Sequence, residues 1–229
     1  MRFAVATGRA DIDPMPSLRG SLRAHKTTLL ASTTDPKQVG RLLRMIHAYP
    51  GSFVVSCALK KFVRPGELQH ARWAEIDFEM CEWRYTTSKT NTPHIVPLAP
   101  QVMAILKDLH GLTGQGEWVF PSQWQKGEPM GKTSMLAALR GMGIGPDEMT
   151  PHGFRPMART LLDEVLGERY DLIEMQLAHM VRDPNGRAYN RAVHLAERTR
   201  MMTRWPAIWT NCVLPLADSR QHHRRAQNA

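Results

Sequence analysis

The chain has 229 residues, of which 42% are hydrophobic, enough for one large domain or for one domain and a fragment of another. Its three cysteines are far apart and form no Cys-x-x-Cys pair, which argues against a disulfide framework and a cysteine zinc site. The formal net charge is +9, with basic excess in residues 1–30 and 219–229, and this favours a polyanionic partner, most simply DNA or RNA.

The sequence carries no sign of a membrane or secretory segment. The first residues lack the apolar core of a signal peptide, and no apolar run approaches the length of a membrane-spanning helix. We therefore expect a cytoplasmic protein that does not contact a membrane.

The first third of the chain is expected to be helical after a polar arm. Residues 10–34 are rich in Pro, Gly, Ser and Thr and read as a linker. Asp35 and Pro36 then open a helix that Pro50 and Gly51 end. Its apolar residues recur at helical spacing and predict a buried stripe, made of Val39, Leu42, Leu43 and Ile46. Two further helices are expected over about 52–61 and 65–73.

The pattern changes to a β period and then returns to helices. A hairpin is predicted over about 82–97, around the polar turn SKTNT, and EWVFP reads as a short strand or an extended piece. Thr150 and Pro151 fit the N-cap and first position of a helix. The helices expected here span about 99–110, 131–140, 153–166, 170–180 and 195–205. Pro206 should end or bend the last of them, and residues 211–229 read as a basic, disordered tail. The fold class expected is mainly α with a small antiparallel β-sheet.

Polar groups with possible chemistry occur at four places. These are Arg64 with Glu67, Lys89 in the hairpin turn, His152 with Arg155, and His179 followed by Tyr189. Each has an ordinary structural alternative when it is taken alone. The first pair can be a surface ion pair, and a turn lysine is usually only solvated. His152 can be an ordinary cap residue and Arg155 a surface charge. His179 is more often a satisfied core histidine, and Tyr189 is more often a half-buried packing tyrosine.

The order and the local wording of these groups resemble the tyrosine recombinases, especially the branch of phage and genomic-island integrases. Four stretches carry the resemblance over about residues 36 to 205: FVRPGELQHARWAEIDF, SKTNTPHIVPL, MTPHGFRPMARTLL and IEMQLAHMVRDPNGRAYNRAVHLAERTRMMTRW. The resemblance implies a tyrosine recombinase catalytic domain, a DNA breaking-rejoining enzyme fold, over residues 35–210. It also implies that residues 1–34 hold the tail of a core-binding domain and its linker.

The resemblance assigns a role to each candidate residue. Arg64 and Arg155 would grip the scissile phosphate, with Glu67 orienting Arg64. Tyr189 would be the nucleophile that forms a 3′-phosphotyrosyl intermediate. His152 would accept the proton of the phenol, and His179 would donate a hydrogen bond to the phosphate. Lys89 would protonate the leaving 5′ oxygen. No metal or cofactor is implied.

The implied function is site-specific DNA recombination and integration, by cleavage and rejoining of double-stranded DNA in a tetrameric assembly of recombinase subunits. The sequence departs from the family in four places. MRFAVATGRA matches only the tail of the core-binding domain that relatives carry, and CALKKFVRPGEL is about four residues short. Thr90-Asn91-Thr92 stands where a basic residue is usual, and Pro206 falls in the terminal helix. An alternative is therefore a truncated, catalytically impaired remnant of an integrase that binds DNA without turnover.

Overall fold

The computed structural model of the chain describes residues 2–18, 21, 31–49, 62–179 and 194–213. These residues form eight α-helices: α1 (Arg2–Ala6), α2 (Pro36–Ala48), α3 (Pro65–Gln69), α4 (Pro100–Thr113), α5 (Ser134–Gly141), α6 (Phe154–Glu164), α7 (Tyr170–Gln176) and α8 (Leu195–Val213). Two short 3-10 helices lie at Met15–Leu18 and Trp73–Glu75. Three antiparallel strands form one sheet in chain order: β1 (Ile76–Asp77), β2 (Glu82–Thr86) and β3 (Pro93–Pro97). The predicted fold class, mainly α with a small antiparallel sheet, is confirmed.

α2 and α8 pack against each other, and both contribute to a core that also takes side chains from the hairpin and from α4 to α7. The Asp35 carboxylate caps α2 by accepting the Lys37 N–H, and the predicted apolar stripe of this helix is buried. Among its described side chains, α8 contributes four buried apolar ones: Met201, Met202, Trp205 and Ile208. Trp205 meets the ring of Phe62 edge to face, with centroids 4.6 Å apart. This contact ties the core to the segment that precedes α3.

A buried arginine joins the C-terminal helix to two elements near the candidate site. Arg198 of α8 is fully buried, and its Nη2 donates to the Ile95 carbonyl at 2.6 Å and to Gln176 Oε1 at 2.8 Å. Ile95 belongs to β3, and Gln176 ends α7. Because a buried cation is stable only with such partners, α8, the hairpin and α7 are held as one unit.

Several element boundaries differ from the predictions. The third helix ends at Gln69, and α7 ends at Gln176 because Ala178 takes a left-handed conformation with φ of 53°. The helix after Thr150 begins at Phe154, and the Thr150 hydroxyl instead accepts the Gly153 N–H within the preceding turn. α8 does not end before residue 206 but continues to Val213.

Two predicted segments cannot be compared in this way. The helix expected over 52–61 and most of the predicted tail lie outside the described residues. No helix among the described residues is long and apolar enough to cross a membrane.

Candidate active site

The start of α3 fixes Arg64 through the carboxylate of Glu67. Arg64 is the N-cap residue, and Pro65 supplies a pre-set first helical position. Glu67 Oε2 accepts the backbone N–H of Arg64 at 3.2 Å, while Oε1 pairs with Arg64 Nη1 at 2.9 Å. The Glu67 side chain is 2% exposed and that of Arg64 20%. The ion pair expected from the sequence is therefore present, largely buried, and part of the helix cap.

Tyr85 completes the environment of Glu67, and the sequence reasoning missed it. Its hydroxyl donates to Glu67 Oε2 at 2.8 Å from the inner face of β2. Burial, followed by the neighbouring Glu67 charge, raises the pKa of Tyr85 well above its usual value, so the phenol stays protonated and acts as a donor. The alternation in EWRYT places Trp83 and Tyr85 inward, and a buried phenol needs a polar partner. That requirement is the signal that could have pointed to Tyr85.

Arg155 lies on the first turn of α6 and reaches two distant backbone segments. Its Nη1 donates to the Phe62 carbonyl, and its Nη2 donates to the Leu177 carbonyl at 2.6 Å. Burial, followed by the charge of Arg64, lowers the pKa of Arg155 to about 10. The guanidinium is therefore charged at neutral pH and close enough to Arg64 for the two charges to repel. Two fixed cations held together in this way attract an anion.

His152 precedes α6 in the same turn, and its imidazole is exposed. Partial burial, together with the charges of Arg155 and Arg64, lowers the pKa of His152 below its usual value. At neutral pH the ring is therefore uncharged, and one ring nitrogen carries a lone pair that can accept a proton. The two arginines thus act electrostatically on His152 as well as on an anion.

His179 lies between Arg155 and an acidic residue of α7. Its Nδ1 contacts Glu174 Oε2 at 2.6 Å, and its Nε2 contacts Arg155 Nη2 at 3.1 Å. A guanidinium has no acceptor atom, so Nε2 must accept and Nδ1 must donate. These two contacts match the Nδ1–H tautomer. Donation from Nε2 to a phosphate would require the doubly protonated ring.

Glu174 supports His179 from the buried side. Burial opposes its ionisation, but hydrogen bonds from His179 and from Arg159, whose Nε lies 2.6 Å from Glu174 Oε1, more than offset burial. The pKa of Glu174 therefore lies below its usual value, and the residue is a carboxylate at neutral pH. The sequence reasoning did not identify Glu174, since only the fold brings its carboxylate to His179.

The contacts among the described residues do not bring Lys89 into this network, and Tyr189 lies outside those residues. Lys89 is exposed in the turn between β2 and β3. Within the described ranges, the two arginines and His179 contact groups other than Lys89. The structure thus joins Arg64 to Glu67 and Arg155 to His179 by contacts, and it brings His152 within the field of both arginines. In the same ranges, no group of three or more His, Cys, Asp or Glu side chains could hold a metal ion.

The chain matches a known protein family over most of its length. The model of the phage integrase family matches residues 32–192. The chain belongs to the phage integrase family. The match includes all seven residues singled out from the sequence as catalytic or supporting.

Individual integrases are similar to this member over most of its length. The integrase of Enterobacteria phage P4 is 35% identical, over 90% of the chain and 51% of that protein. Prophage integrase IntA of Escherichia coli K12 is 34% identical, over 90% of the chain and 50% of that protein. The chain therefore spans about half the length of these curated relatives.

Solved structures share the fold of this integrase-family chain at low sequence identity. A lambda integrase dimer bound to a COC' core site superimposes with a TM-score of 0.56 at 19% identity. The superposition covers 82% of the present chain and 57% of the lambda integrase chain. The integrase from mycobacterium phage Brujita gives a TM-score of 0.57 at 15% identity, covering 99% and 72%. The predicted tyrosine recombinase catalytic fold is confirmed.

Proposed function

We propose that this chain is the catalytic part of a site-specific DNA recombinase, which cleaves a DNA strand through a 3′-phosphotyrosyl link and rejoins it to another 5′ end. The observation that carries the proposal is the convergence of Arg64 and Arg155 from separate elements. Both guanidinium groups are held by buried partners, and the charge of Arg64 lowers the pKa of Arg155. Such a pair favours an anion that gains charge during a reaction.

The arginines stabilise the pentacoordinate phosphorus that forms on attack. The guanidinium hydrogens that are not donated to protein groups can donate to the non-bridging oxygens, which become more negative in the transition state. Their fixed contacts to Glu67, to the Phe62 carbonyl and to the Leu177 carbonyl mean that little reorganisation is needed on binding. Loss of one such stabiliser commonly costs about 2.7–4 kcal/mol of barrier.

Tyr189 is the proposed nucleophile, and His152 is the proposed acceptor of its proton. A phenol has an ordinary pKa near 10, so it is largely protonated at neutral pH and needs a base. His152 is neutral there because burial and the two arginines lower its pKa. The Tyr189 oxygen bonds to phosphorus, its proton passes to His152, and the bond from phosphorus to the 5′ oxygen breaks.

Lys89 and His179 act on the remaining oxygens. Lys89 gives its proton to the departing 5′ oxygen, which leaves as a hydroxyl. In its doubly protonated form, with the second proton taken from solvent, His179 donates from Nε2 to a phosphate oxygen while its Nδ1–H faces the Glu174 carboxylate. The phosphodiester energy is kept in the phosphotyrosyl bond, so attack by another 5′ hydroxyl reverses the step and joins strands.

The partners follow from the same chemistry. Double-stranded DNA is the proposed substrate, in line with the net charge of +9 and with the DNA-bound lambda integrase that shares the fold. Other recombinase subunits would supply the second strand, in a tetrameric synapse as the family resemblance implies. The proposed location is the cytoplasm, where the chromosomal or phage DNA lies.

Covalent capture on nicked DNA tests the proposal with no assumption about the target sequence. A library of duplexes has a fixed nick and randomised flanking sequence, so that cleavage close to the nick releases a short fragment and traps the protein on DNA. Adducts are recovered under denaturing conditions and sequenced, and the enriched site is rebuilt as a defined substrate. Tyr189→Phe is the test variant, and Tyr49→Phe, an exposed tyrosine on the end of α2, is the matched control.

The expected result is an adduct with the unmodified chain and with Tyr49→Phe, and none with Tyr189→Phe. An adduct formed by Tyr189→Phe would exclude Tyr189 as the nucleophile. Salt-dependent DNA binding without an adduct, on a site that the library enriches by binding alone, would instead support the DNA-binding remnant without turnover.

A further inference from the structure

The turn that carries Lys89 is closed by three threonine hydroxyl groups. The Oγ1 atoms of Thr87 and Thr90 lie 2.7 Å apart, those of Thr90 and Thr92 also 2.7 Å, and those of Thr87 and Thr92 3.0 Å. We call these three residues the threonine ring. Each hydroxyl has one hydrogen to donate and two lone pairs, so the members can donate to one another. The Thr87 hydroxyl can also donate to the Thr92 carbonyl at 3.1 Å.

The backbone of the turn is closed at the same place. The Thr87 N–H donates to the Thr92 carbonyl at 2.9 Å, and the Asn91 N–H donates to the Thr87 carbonyl at 2.9 Å. Asn91 has a φ of 47°, a left-handed conformation that asparagine tolerates better than most residues. The side chains and the backbone thus specify the same turn.

Thr87 anchors the ring in the protein interior. It is fully buried, whereas Thr90 is exposed and Thr92 is partly so. Its hydroxyl lies within hydrogen-bond distance of the Thr90 and Thr92 hydroxyls and of the carbonyl and N–H of Thr92, and these contacts hold the two residues over it. Lys89 lies between Thr87 and Thr90 in sequence, so the contact between their hydroxyl groups brackets its backbone. The long lysine side chain stays exposed while its base is fixed.

We propose that the threonine ring holds the hairpin turn in the conformation that presents the Lys89 ammonium to the leaving 5′ oxygen. The inference rests on the proposed function, because it needs Lys89 to be the group that protonates this oxygen. Thr87, Thr90 and Thr92 are then positioning residues, which act through Lys89 and do not touch the DNA phosphate. With an open ring, the lysine spends less time where the 5′ oxygen departs.

A change of leaving group separates this role from a general effect on folding or DNA binding. During cleavage the bond from phosphorus to the 5′ oxygen breaks, and the oxygen takes a proton from Lys89. With sulfur at the 5′ bridging position, the departing group is a thiolate, a much weaker base that leaves without a proton. A defect that acts through Lys89 should therefore disappear on the sulfur substrate.

The test compares single-turnover cleavage of oxygen and sulfur substrates at the site enriched by covalent capture. Thr90→Val and Thr92→Val remove one hydroxyl each with little change in volume, and Thr90→Ser and Thr92→Ser restore it. Thr86→Val, at the exposed end of β2 and outside the ring, is the matched control. Lys89→Ala is measured in parallel.

We expect each valine variant to lose about 10-fold on the oxygen substrate, part of the 10²–10⁴-fold that general acid catalysis contributes. On the sulfur substrate the rate should stay within about two-fold of the unmodified chain. The serine variants and Thr86→Val should cleave both substrates normally. An unchanged rate on the oxygen substrate, or an equal loss on both substrates, would overturn the role of the ring.

The lysine variant distinguishes this failure from failure of the proposed function. If Lys89→Ala is rescued by sulfur while the valine variants show no selective loss, the role of Lys89 stands and that of the ring is refuted. If Lys89→Ala loses equally on both substrates, Lys89 is not the acid, and the proposals for the lysine and for the ring are both refuted.

Discussion

Removal of the Tyr85 hydroxyl tests how Arg64 is held. In Tyr85→Phe, Glu67 Oε2 loses the donor at 2.8 Å and keeps, among the residues that the structure describes, the Arg64 N–H at 3.2 Å, while Oε1 still faces Arg64 Nη1. A hydrogen bond to a charged group contributes about 1.5–3 kcal/mol. Removal of the hydroxyl also removes the cost of burying it, which offsets part of this loss. We therefore expect the free energy of unfolding to fall by about 1–2 kcal/mol. A looser Arg64 should slow cleavage about 10-fold, which corresponds to about 1.4 kcal/mol of barrier.

The assay combines urea unfolding with single-turnover cleavage on two substrates. One has the natural phosphodiester, and the other has an uncharged methylphosphonate at the scissile position. The Arg64 charge stabilises the negative phosphate more than the neutral analogue, so a defect that acts through Arg64 should shrink to about two-fold or less on the methylphosphonate. Tyr49→Phe removes an exposed phenol and should change neither the free energy of unfolding nor the rate.

Two results would refute this reasoning. Full cleavage by Tyr85→Phe on the natural substrate would mean that the hydroxyl does not position Arg64. An equal loss on both substrates would mean that the variant acts through the fold or DNA binding, and not through the charge on the phosphate.

Three further predictions concern the same network. Burial and the charges of Arg155 and Arg64 lower the pKa of His152 from its ordinary value of 6.5. Cleavage should therefore persist below pH 6.5 and fall only as the pH drops through the lowered pKa. In an NMR titration, Arg64→Gln should raise the pKa of His152. Arg155→Lys keeps the charge but loses the fork that reaches two carbonyls, and single-turnover cleavage should fall by about 10²–10³-fold. Arg198→Met leaves the Ile95 carbonyl and Gln176 Oε1 without this donor, and chemical denaturation should give a free energy of unfolding lower by about 3 kcal/mol.

Each of these has a clear contrary outcome. A His152 titration at or above the usual histidine value, or one unmoved by Arg64→Gln, would show that the arginines do not act on His152. Normal cleavage by Arg155→Lys would show that charge alone suffices. Unchanged stability of Arg198→Met would show that the buried guanidinium does not hold α8 to the hairpin and α7.

Local patterns predicted much of the fold because the relevant forces act within a few residues. The stripe on α2 follows from helical periodicity, and the hairpin of β2 and β3 follows from alternation around a polar turn. The prediction that α8 ends near residue 205, before Pro206, is wrong. The helix continues to Val213 while Trp205 and Ile208, on either side of the proline, are buried, so tertiary packing outweighs the local preference to stop.

The sequence predicted which residue types form the candidate site, but it did not predict the groups that hold those side chains in place. Arg64 and Glu67 are neighbours on one helix, and their ion pair follows from spacing alone. The contacts of Tyr85 with Glu67, and of Arg155 with the Phe62 carbonyl, join segments that only the folded chain brings together. The same holds for Arg198, which no local pattern distinguishes from a surface arginine and which is fully buried.

The most direct measurement of the central claim is the residue that carries the DNA in the covalent adduct. After nuclease trimming and trypsin digestion, Tyr189 lies in the peptide AYNR, residues 188–191, which contains no other tyrosine, serine or threonine. Mass spectrometry should find a 3′-nucleotide on this peptide, at Tyr189. A nucleotide on any other peptide, with AYNR unmodified, would contradict the account.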